Sequence, residues 1–165
     1  MSIIIRKAQT QDVRAIRNLI DTYAPDRRLL SKNTVTIYES VQEFVVAEID
    51  GAIVGCGALH VMWEDLGEVR TLAVLPELKR QKIGTQLLDE LLDNAKSLGL
   101  SRVFCLTFET EFFTSFGFTP ISDTPVDPDV YAELLQSGDE GVAEFLDLER
   151  VKPNTLGNTR MLLQL

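Results

Sequence analysis

The sequence predicts an α/β or α+β sandwich built on a mixed sheet, and three observations carry that prediction. Two apolar runs, "EFVVAEI" (43–49) and "AIVGCGALHVMW" (52–63), are separated by Asp50-Gly51, a strong short-range hairpin signal. Residues 68–107 then read as strand, basic loop, helix, strand. The last six residues, "RMLLQL", supply a closing strand. With 165 residues, 45% hydrophobic and 25% charged, the chain is expected to form one domain over 1–165 with room for a sizeable core.

The elements follow in order. "IIIRKA" (3–8) is a first strand. Thr10 is placed to N-cap a helix whose positions Val13, Ile16, Leu19, Ile20 and Tyr23 recur at helical spacing, and Pro25 ends it. Residues 26–40 are polar and irregular, with a short helical piece near 35–38. The two hairpin strands are expected to be antiparallel neighbours. "EVRTLAVL" (68–75) is another strand, stopped by Pro76. Ile83, Leu87, Leu88, Leu91, Leu92, Ala95 and Leu98 repeat every three or four residues, and Gly99 follows as a C′ signal, so 83–98 is an amphipathic helix. "RVFCLT" (102–107) is a buried strand, and "FETEFFTSFGF" (108–118) a short helix ending at Gly117. Pro125, Pro128 and Pro153 bound a segment with two short helices, near 130–135 and 142–148.

Composition narrows the function classes. Cys56 and Cys105 sit inside apolar runs and no charged-then-apolar leader opens the sequence, so a reduced, cytoplasmic protein is expected. No apolar run approaches the roughly 20 residues that cross a bilayer. A net charge of -9 and a pI near 4.6 argue against a nucleic-acid surface, which would need a basic face. An anionic ligand must therefore be held by a local device. Lys79-Arg80-Gln81-Lys82-Ile83-Gly84 is such a device: a strand ends, three cations cluster, and a helix opens with unsatisfied N–H groups and the positive end of its dipole. Gly84 would let the backbone approach a phosphate closely. The alternative is a solvated turn with ordinary surface charge. The spacing matches neither the nucleoside-triphosphate loop nor the dinucleotide fingerprint.

"TLAVLPELKRQKIGTQLLDELL" resembles the acetyl-coenzyme A signature of the GNAT N-acetyltransferases, R/Q-x-x-G-x-G/A after a strand ending apolar-x-Val-x-Pro. Lys79 stands at its first position, Lys82 where the family usually has its first Gly, and Gly84 at its last. "FFTSFGF" resembles the family's aromatic-x-x-x-Gly-Phe stretch, with Phe113 in place of the usual Tyr. A closer resemblance covers nearly the whole chain: "VQEFVVAE", "VGCGALHVMWEDLGEVRTLAV", "VFCLTFETEFFTSFGFTPI" and "GVAEFLDLERVKPNTLGNTRMLL" are similar to the short, stand-alone amino-acid N-acetyltransferases of actinobacterial type, which make N-acetylglutamate for arginine biosynthesis. The resemblance implies the GNAT fold, a central mixed and mostly antiparallel sheet flanked by helices, and acetyl-CoA as co-substrate without a metal. Longer members of that group carry an amino-acid-kinase-like domain in front; 165 residues hold no such domain, and arginine feedback through it is expected to be absent.

By that resemblance, the backbone of Leu72, Ala73 and Val74 pairs with pantetheine, and Lys79, Arg80, Gln81, Lys82, Ile83, Gly84 and Thr85 hold the pyrophosphate, with Phe113 beside the cofactor. Val74 N–H is the expected donor to the thioester oxygen, a contact worth roughly 3–4 kcal/mol in comparable oxyanion sites. The amine needs a base, and Glu68 is the first candidate, since a carboxyl with a raised pKa suits the task. Glu109, Glu111 and His60 compete, His60 also reading as a packed strand histidine with a satisfied hydrogen bond. A phenyl ring donates no proton, so Phe113 also reads as packing, with water, Ser115 or another Tyr protonating the thiolate. Alternatively the thiolate leaves unaided, a thiol pKa being about 8.5.

Two substrate carboxylates call for forked donors. Arg70 shares a strand face with Glu68, although the two could instead simply pair with each other. "KPNTLGNTR" adds Lys152, Asn154, Asn158 and Arg160, a region that borders the acceptor pocket in the family's layout and otherwise reads as a turn. Arg27, Arg28 and Lys32 belong to a segment that often lids such pockets. The expected partner is a small amino acid, glutamate or glutamine, with no nucleic acid and no membrane, and a homodimer is left open. Two other functions stay open: acetylation of a peptide or other small amine, and a non-catalytic acyl-CoA or amino-acid sensor.

Overall fold

The computed structural model describes residues 2–24 and 33–165, apart from the side chain of Asn154. Pro25, Arg27, Arg28 and Lys32 lie outside the described residues. The strands are β1 (Ile3–Lys7), β2 (Phe44–Ile49), β3 (Ala52–Trp63), β4 (Leu66–Val74), β5 (Arg102–Thr107), β6 (Thr119–Pro120) and β7 (Thr159–Gln164). The α-helices are α1 (Val13–Tyr23), α2 (Thr34–Glu39), α3 (Ile83–Ser97), α4 (Thr110–Thr114), α5 (Pro128–Leu134) and α6 (Glu140–Phe145). Backbone ladders join the strands in the order β1-β2-β3-β4-β5-β7-β6. β4 and β5 are parallel, while β1–β2, β2–β3, β5–β7 and β6–β7 are antiparallel. The sheet is the mixed, mostly antiparallel one expected.

The chain forms two compact units, Met1–His60 with Val69–Leu98, and Val61–Glu68 with Gly99–Leu165. β3 and β4 each carry the chain from one unit into the other.

In the first unit the β2–β3 hairpin turns through Asp50 (φ 50°) and Gly51 (φ 82°), the left-handed pair that a two-residue turn of this hand requires. Period-two alternation then sorts β3 onto two faces. Cys56 and Ala58 pack with Val13, Ile16 and Ile20 of α1. Gly55 and Gly57 point the other way, toward α3. A Cβ on Gly57 would lie 2.8 Å from Leu91 Cδ1 and 2.9 Å from Leu72 Cδ1, and one on Gly55 would lie 3.0 Å from Leu87 Cδ1. The helix reaches this depth because those two positions carry no side chain. Gly99, at φ 89°, ends it.

The start of α1 differs from expectation. Thr10 opens a single 3-10 turn (Thr10–Asp12) rather than capping the helix. Asp12 closes that turn rather than capping α1 with its side chain: its carboxylate accepts the Gln9 N–H at 2.7 Å and two Arg6 guanidinium bonds at 2.8 and 3.0 Å. Burial leaves Asp12 4% exposed, yet the Arg6 bonds and the Gln9 amide hold its carboxyl below the usual carboxylate range.

In the second unit, β5 and β7 bury Phe104 and Leu162 against Leu134, Phe145 and Leu146 of the α5–α6 segment. The Phe104 and Phe145 rings meet edge-on at 5.2 Å. Asp139 caps α6 by accepting the Val142 N–H at 3.0 Å. β6 is a two-residue strand paired to β7, too short and too proline-bound to announce itself in sequence.

Two outcomes test this packing. Gly57→Val should lower unfolding stability by about 1–3 kcal/mol, read from the urea midpoint, because a branched side chain must displace Leu91 and Leu72; an unchanged midpoint would mean that α3 sits further from β3. Because the Asp12 pKa is depressed in the folded protein, its stabilisation is present above the ordinary carboxylate pKa of about 4 and is lost as pH falls through the folded value. Denaturant titrations of Asp12→Asn should therefore diverge from wild type at pH 6 and converge toward it in acid.

Candidate functional site

The geometry of the site begins with β4. Its parallel ladder with β5 spans Leu66–Glu68, opposite Arg102, Val103 and Phe104. Thr71 then takes φ 58°, an outlier for a β-branched residue, and its carbonyl accepts the Cys56 thiol at 3.4 Å. Past this kink run Leu72, Ala73 and Val74. Leu75 N–H donates to Val54 O of β3 at 2.9 Å. All peptide bonds among the described residues are trans, so the Val74 carbonyl, opposite that N–H across one peptide plane, points away from β3. One peptide earlier, Ala73 O lies 3.2 Å from where a Gly55 Cβ would stand, so it leans on β3 and the Val74 N–H points away from it. Val74 thus turns both its N–H and its C=O to the same edge, in the way a strand presents itself to an extended partner. The Tyr23 hydroxyl of α1 donates to the Val74 carbonyl.

Beyond β4 the chain makes one 3-10 turn, Pro76–Leu78, and enters the basic loop. Lys79, Arg80, Gln81 and Lys82 are all exposed. Arg80 (φ 73°) and Lys82 (φ 63°) are both left-handed, at roughly 1–2 kcal/mol each for a residue with a Cβ. This explains why the signature usually has Gly at the position Lys82 occupies: the backbone there needs a conformation that only glycine adopts freely. Lys82 is the N-cap of α3 and its side chain makes no capping bond. The first bond of the helix runs from Gln86 N–H to Lys82 O at 3.1 Å, so the N–H groups of Ile83, Gly84 and Thr85 stand ahead of it. Open amides, a dipole end and three cations meet at one loop. The Ile83 side chain is buried beneath Gly55, leaving only its main chain for a ligand. Lys79 Nζ stands 5.1 Å from the Tyr23 ring centroid.

The remaining expected residues divide. Glu68 is 3% exposed, and its charge adds to burial in pushing the Cys105 thiol well above its ordinary value. Arg70 is half-buried, and both Glu68 and Arg70 have polar partners. His60 Nδ1 lies 2.6 Å from Glu43 Oε2, the satisfied strand histidine that was one of its two readings. Phe113 is buried, and its ring makes T-shaped contacts with those of Phe112 and Phe118, each at 5.2 Å between centroids. Glu109 and Glu111 are exposed. Lys152 pairs with Asp147 at 2.7 Å, and Asn158 is half-buried with a partner.

Arg160 has a different task from the carboxylate fork expected of it. Its guanidinium donates to main-chain carbonyls of Glu144 at 3.2 Å, Asp123 at 3.0 Å and Phe145, tying α6 to β7, and burial pulls its pKa down. A cation taken up by three carbonyls is a structural post, and it leaves the expected substrate set. Tyr23 was legible only as an apolar helix position. Its hydroxyl was the missed signal, since a buried tyrosine needs a polar partner.

The acetyltransferase (GNAT) family model matches residues 13–118, which contain this whole strand, loop and helix. The chain belongs to that family. A Mycobacterium tuberculosis protein named amino-acid acetyltransferase is 58% identical over 98% of this chain and 94% of its own length. A solved M. tuberculosis structure in complex with CoA and NLQ superposes with a TM-score of 0.95 at 58% identity, covering 98% of this chain and 99% of that one. N-acetylglutamate synthase from Neisseria gonorrhoeae, complexed with coenzyme A and N-acetyl-glutamate, covers all of this chain with 35% of its own length, at 26% identity and a TM-score of 0.78. No helix among the described residues is long and apolar enough to cross a membrane, and no cluster of three or more His, Cys, Asp or Glu among them is arranged to hold a metal.

In this GNAT chain, Lys82→Gly should raise unfolding stability by about 0.5–1 kcal/mol, because relief of the left-handed strain exceeds the entropy glycine adds to the unfolded chain. A thermal melt that falls instead would show that residue 82 is not held left-handed.

Proposed function

We propose that the chain is an acetyl-CoA-dependent amino-acid N-acetyltransferase that moves an acetyl group to the α-amine of L-glutamate or L-glutamine, the first step of arginine biosynthesis. The observation that carries this reading is the outward-turned Val74 N–H, followed in sequence by a left-handed loop that opens the N-terminus of α3. The names of the M. tuberculosis relative and of the N. gonorrhoeae synthase support the amino-acid substrate and the coenzyme.

The residues have these tasks. Main-chain N–H groups of Ile83, Gly84 and Thr85, with Lys79, Arg80 and Lys82 around them and Gln81 between, hold the diphosphate by direct bonds and dipole. Leu72, Ala73 and Val74 hold the pantetheine arm through their backbone. Acetyl-CoA supplies an activated acyl carbon with a thiolate leaving group. Glu68 takes a proton from the ammonium, so that the neutral amine attacks the carbonyl carbon; an N–C bond forms, the C–S bond breaks with its electron pair leaving on sulfur, and the second proton lost from the amide nitrogen passes to that thiolate or to solvent. Val74 N–H faces the thioester oxygen as negative charge develops there. Arg70, with Lys152, Asn154 and Asn158 as further donors, binds the substrate carboxylates. Residues 1–165 act as one acetyltransferase domain, and the buried free cysteines Cys56 and Cys105 suit the reducing cytoplasm.

Thiol release from acetyl-CoA, measured against glutamate, glutamine, aspartate, lysine and short peptides, tests the reading. Turnover with glutamate or glutamine is expected; release with peptides alone, or tight coenzyme binding without turnover, would replace it. Arg70→Ala should raise the amino-acid KM at least about tenfold, in line with loss of a charged hydrogen bond, and leave the acetyl-CoA KM within about twofold.

A further inference from the structure

We infer that Tyr23 is a positioning residue for acyl transfer: from α1 it holds the end of β4 and the first cation of the basic loop in one fixed relation. The inference rests on the proposed function and deepens it.

Three contacts converge on this side chain. Tyr23 is 9% exposed, with its ring packed in the core formed by Ile20, Val46 and Ala73. Its hydroxyl donates to the Val74 carbonyl, and its ring carries the Lys79 ammonium at 5.1 Å. The peptide it grips is already pinned on the opposite side, because Leu75 N–H donates to Val54 O at 2.9 Å. One peptide plane is therefore held at both ends, from α1 and from β3, and cannot rotate without breaking one of the two bonds. The Val74 N–H lies in the preceding peptide plane, joined to the held one through the Val74 Cα, so anchoring the carbonyl restricts rotation at Val74 and with it the direction of the proposed oxyanion donor.

The hydroxyl also changes the electrostatics of the edge. An uncovered Val74 carbonyl would place a partial negative charge beside the N–H of the same residue, where the thioester oxygen gains negative charge. A proton donated to that carbonyl offsets it. Such a contribution is larger when the oxygen is charged than in the resting thioester, so it belongs to kcat more than to binding. The ring contact concerns binding instead, since it restricts Lys79, four residues before the first helical turn of α3.

Tyr23→Phe removes only the hydroxyl, and Tyr23→Leu also removes the ring that carries Lys79. In Tyr23→Phe, kcat should fall roughly threefold to tenfold, the range one net hydrogen bond supplies, with coenzyme A affinity by calorimetry and the amino-acid KM both within about twofold. Tyr23→Leu should in addition weaken coenzyme A several-fold. Wild-type kcat per folded molecule in Tyr23→Phe overturns the inference, as does a loss that follows the unfolded fraction alone. In the wild-type protein, independent of how either variant folds, the Tyr23 hydroxyl proton should give a slowly exchanging resonance; its absence overturns the inference as well. A wild-type enzyme that neither binds coenzyme A nor turns over would instead defeat the function on which it rests.

Discussion

The close seat of α3 on β3 is the constraint from which the site follows. Leu87 and Leu91 occupy the room that side chains at Gly55 and Gly57 would need, so the helix axis is set by two absent Cβ atoms. Once that axis is fixed, so is the place where the helix begins. The chain must leave Val74, turn at Pro76 and reach Ile83 within a few residues, and it does so with Arg80 and Lys82 in left-handed conformations. Strain in the loop is thus the consequence of a helix that packs deeply and starts early. It is offset by the core beneath, where Ile83, Leu87, Leu88 and Leu91 are at most 1% exposed.

That arrangement also answers the charge problem posed by a chain of net charge -9. A diffuse acidic surface repels a polyanionic ligand at long range, but local donors decide what happens at contact. Main-chain amides at a helix start are fixed in direction and cannot be titrated away, and they act together with the helix dipole. Lys79, Arg80 and Lys82 add charge around them from exposed positions, where screening keeps each contribution modest. On the proposed function, the main chain is the specific element and the side chains are the attractor.

Much of this was legible in the sequence because it was periodic or punctuated. Leucines at helical spacing, Asp50-Gly51, Pro76 and Gly99 each state a local geometry on their own, and the strand–loop–helix around Lys79–Gly84 followed. What was not legible depends on contacts distant in sequence. Thr71 is a good strand former yet sits at positive φ, which strand propensity does not register. Thr10 looks like a cap, but it opens a 3-10 turn that Asp12 closes back onto the Gln9 N–H, with Arg6 holding the carboxylate from across the turn. Arg160 reads as a ligand-binding cation until three carbonyls from α6 and the 123 region are found around it. Tyr23 reads as an apolar helix position because periodicity registers its ring and not its hydroxyl. Lys82 hid a glycine-like backbone behind a charged side chain.

The most direct measurement is an amide nitrogen–proton NMR titration of the intact protein with coenzyme A and, separately, with pantetheine, which lacks the diphosphate. If main-chain donors at the start of α3 grip the diphosphate, the Ile83, Gly84 and Thr85 resonances should move strongly with coenzyme A and scarcely with pantetheine, while Val74 responds to both. Resonances at 83–85 that stay fixed under saturating coenzyme A, or that move equally with the truncated ligand, would contradict the account.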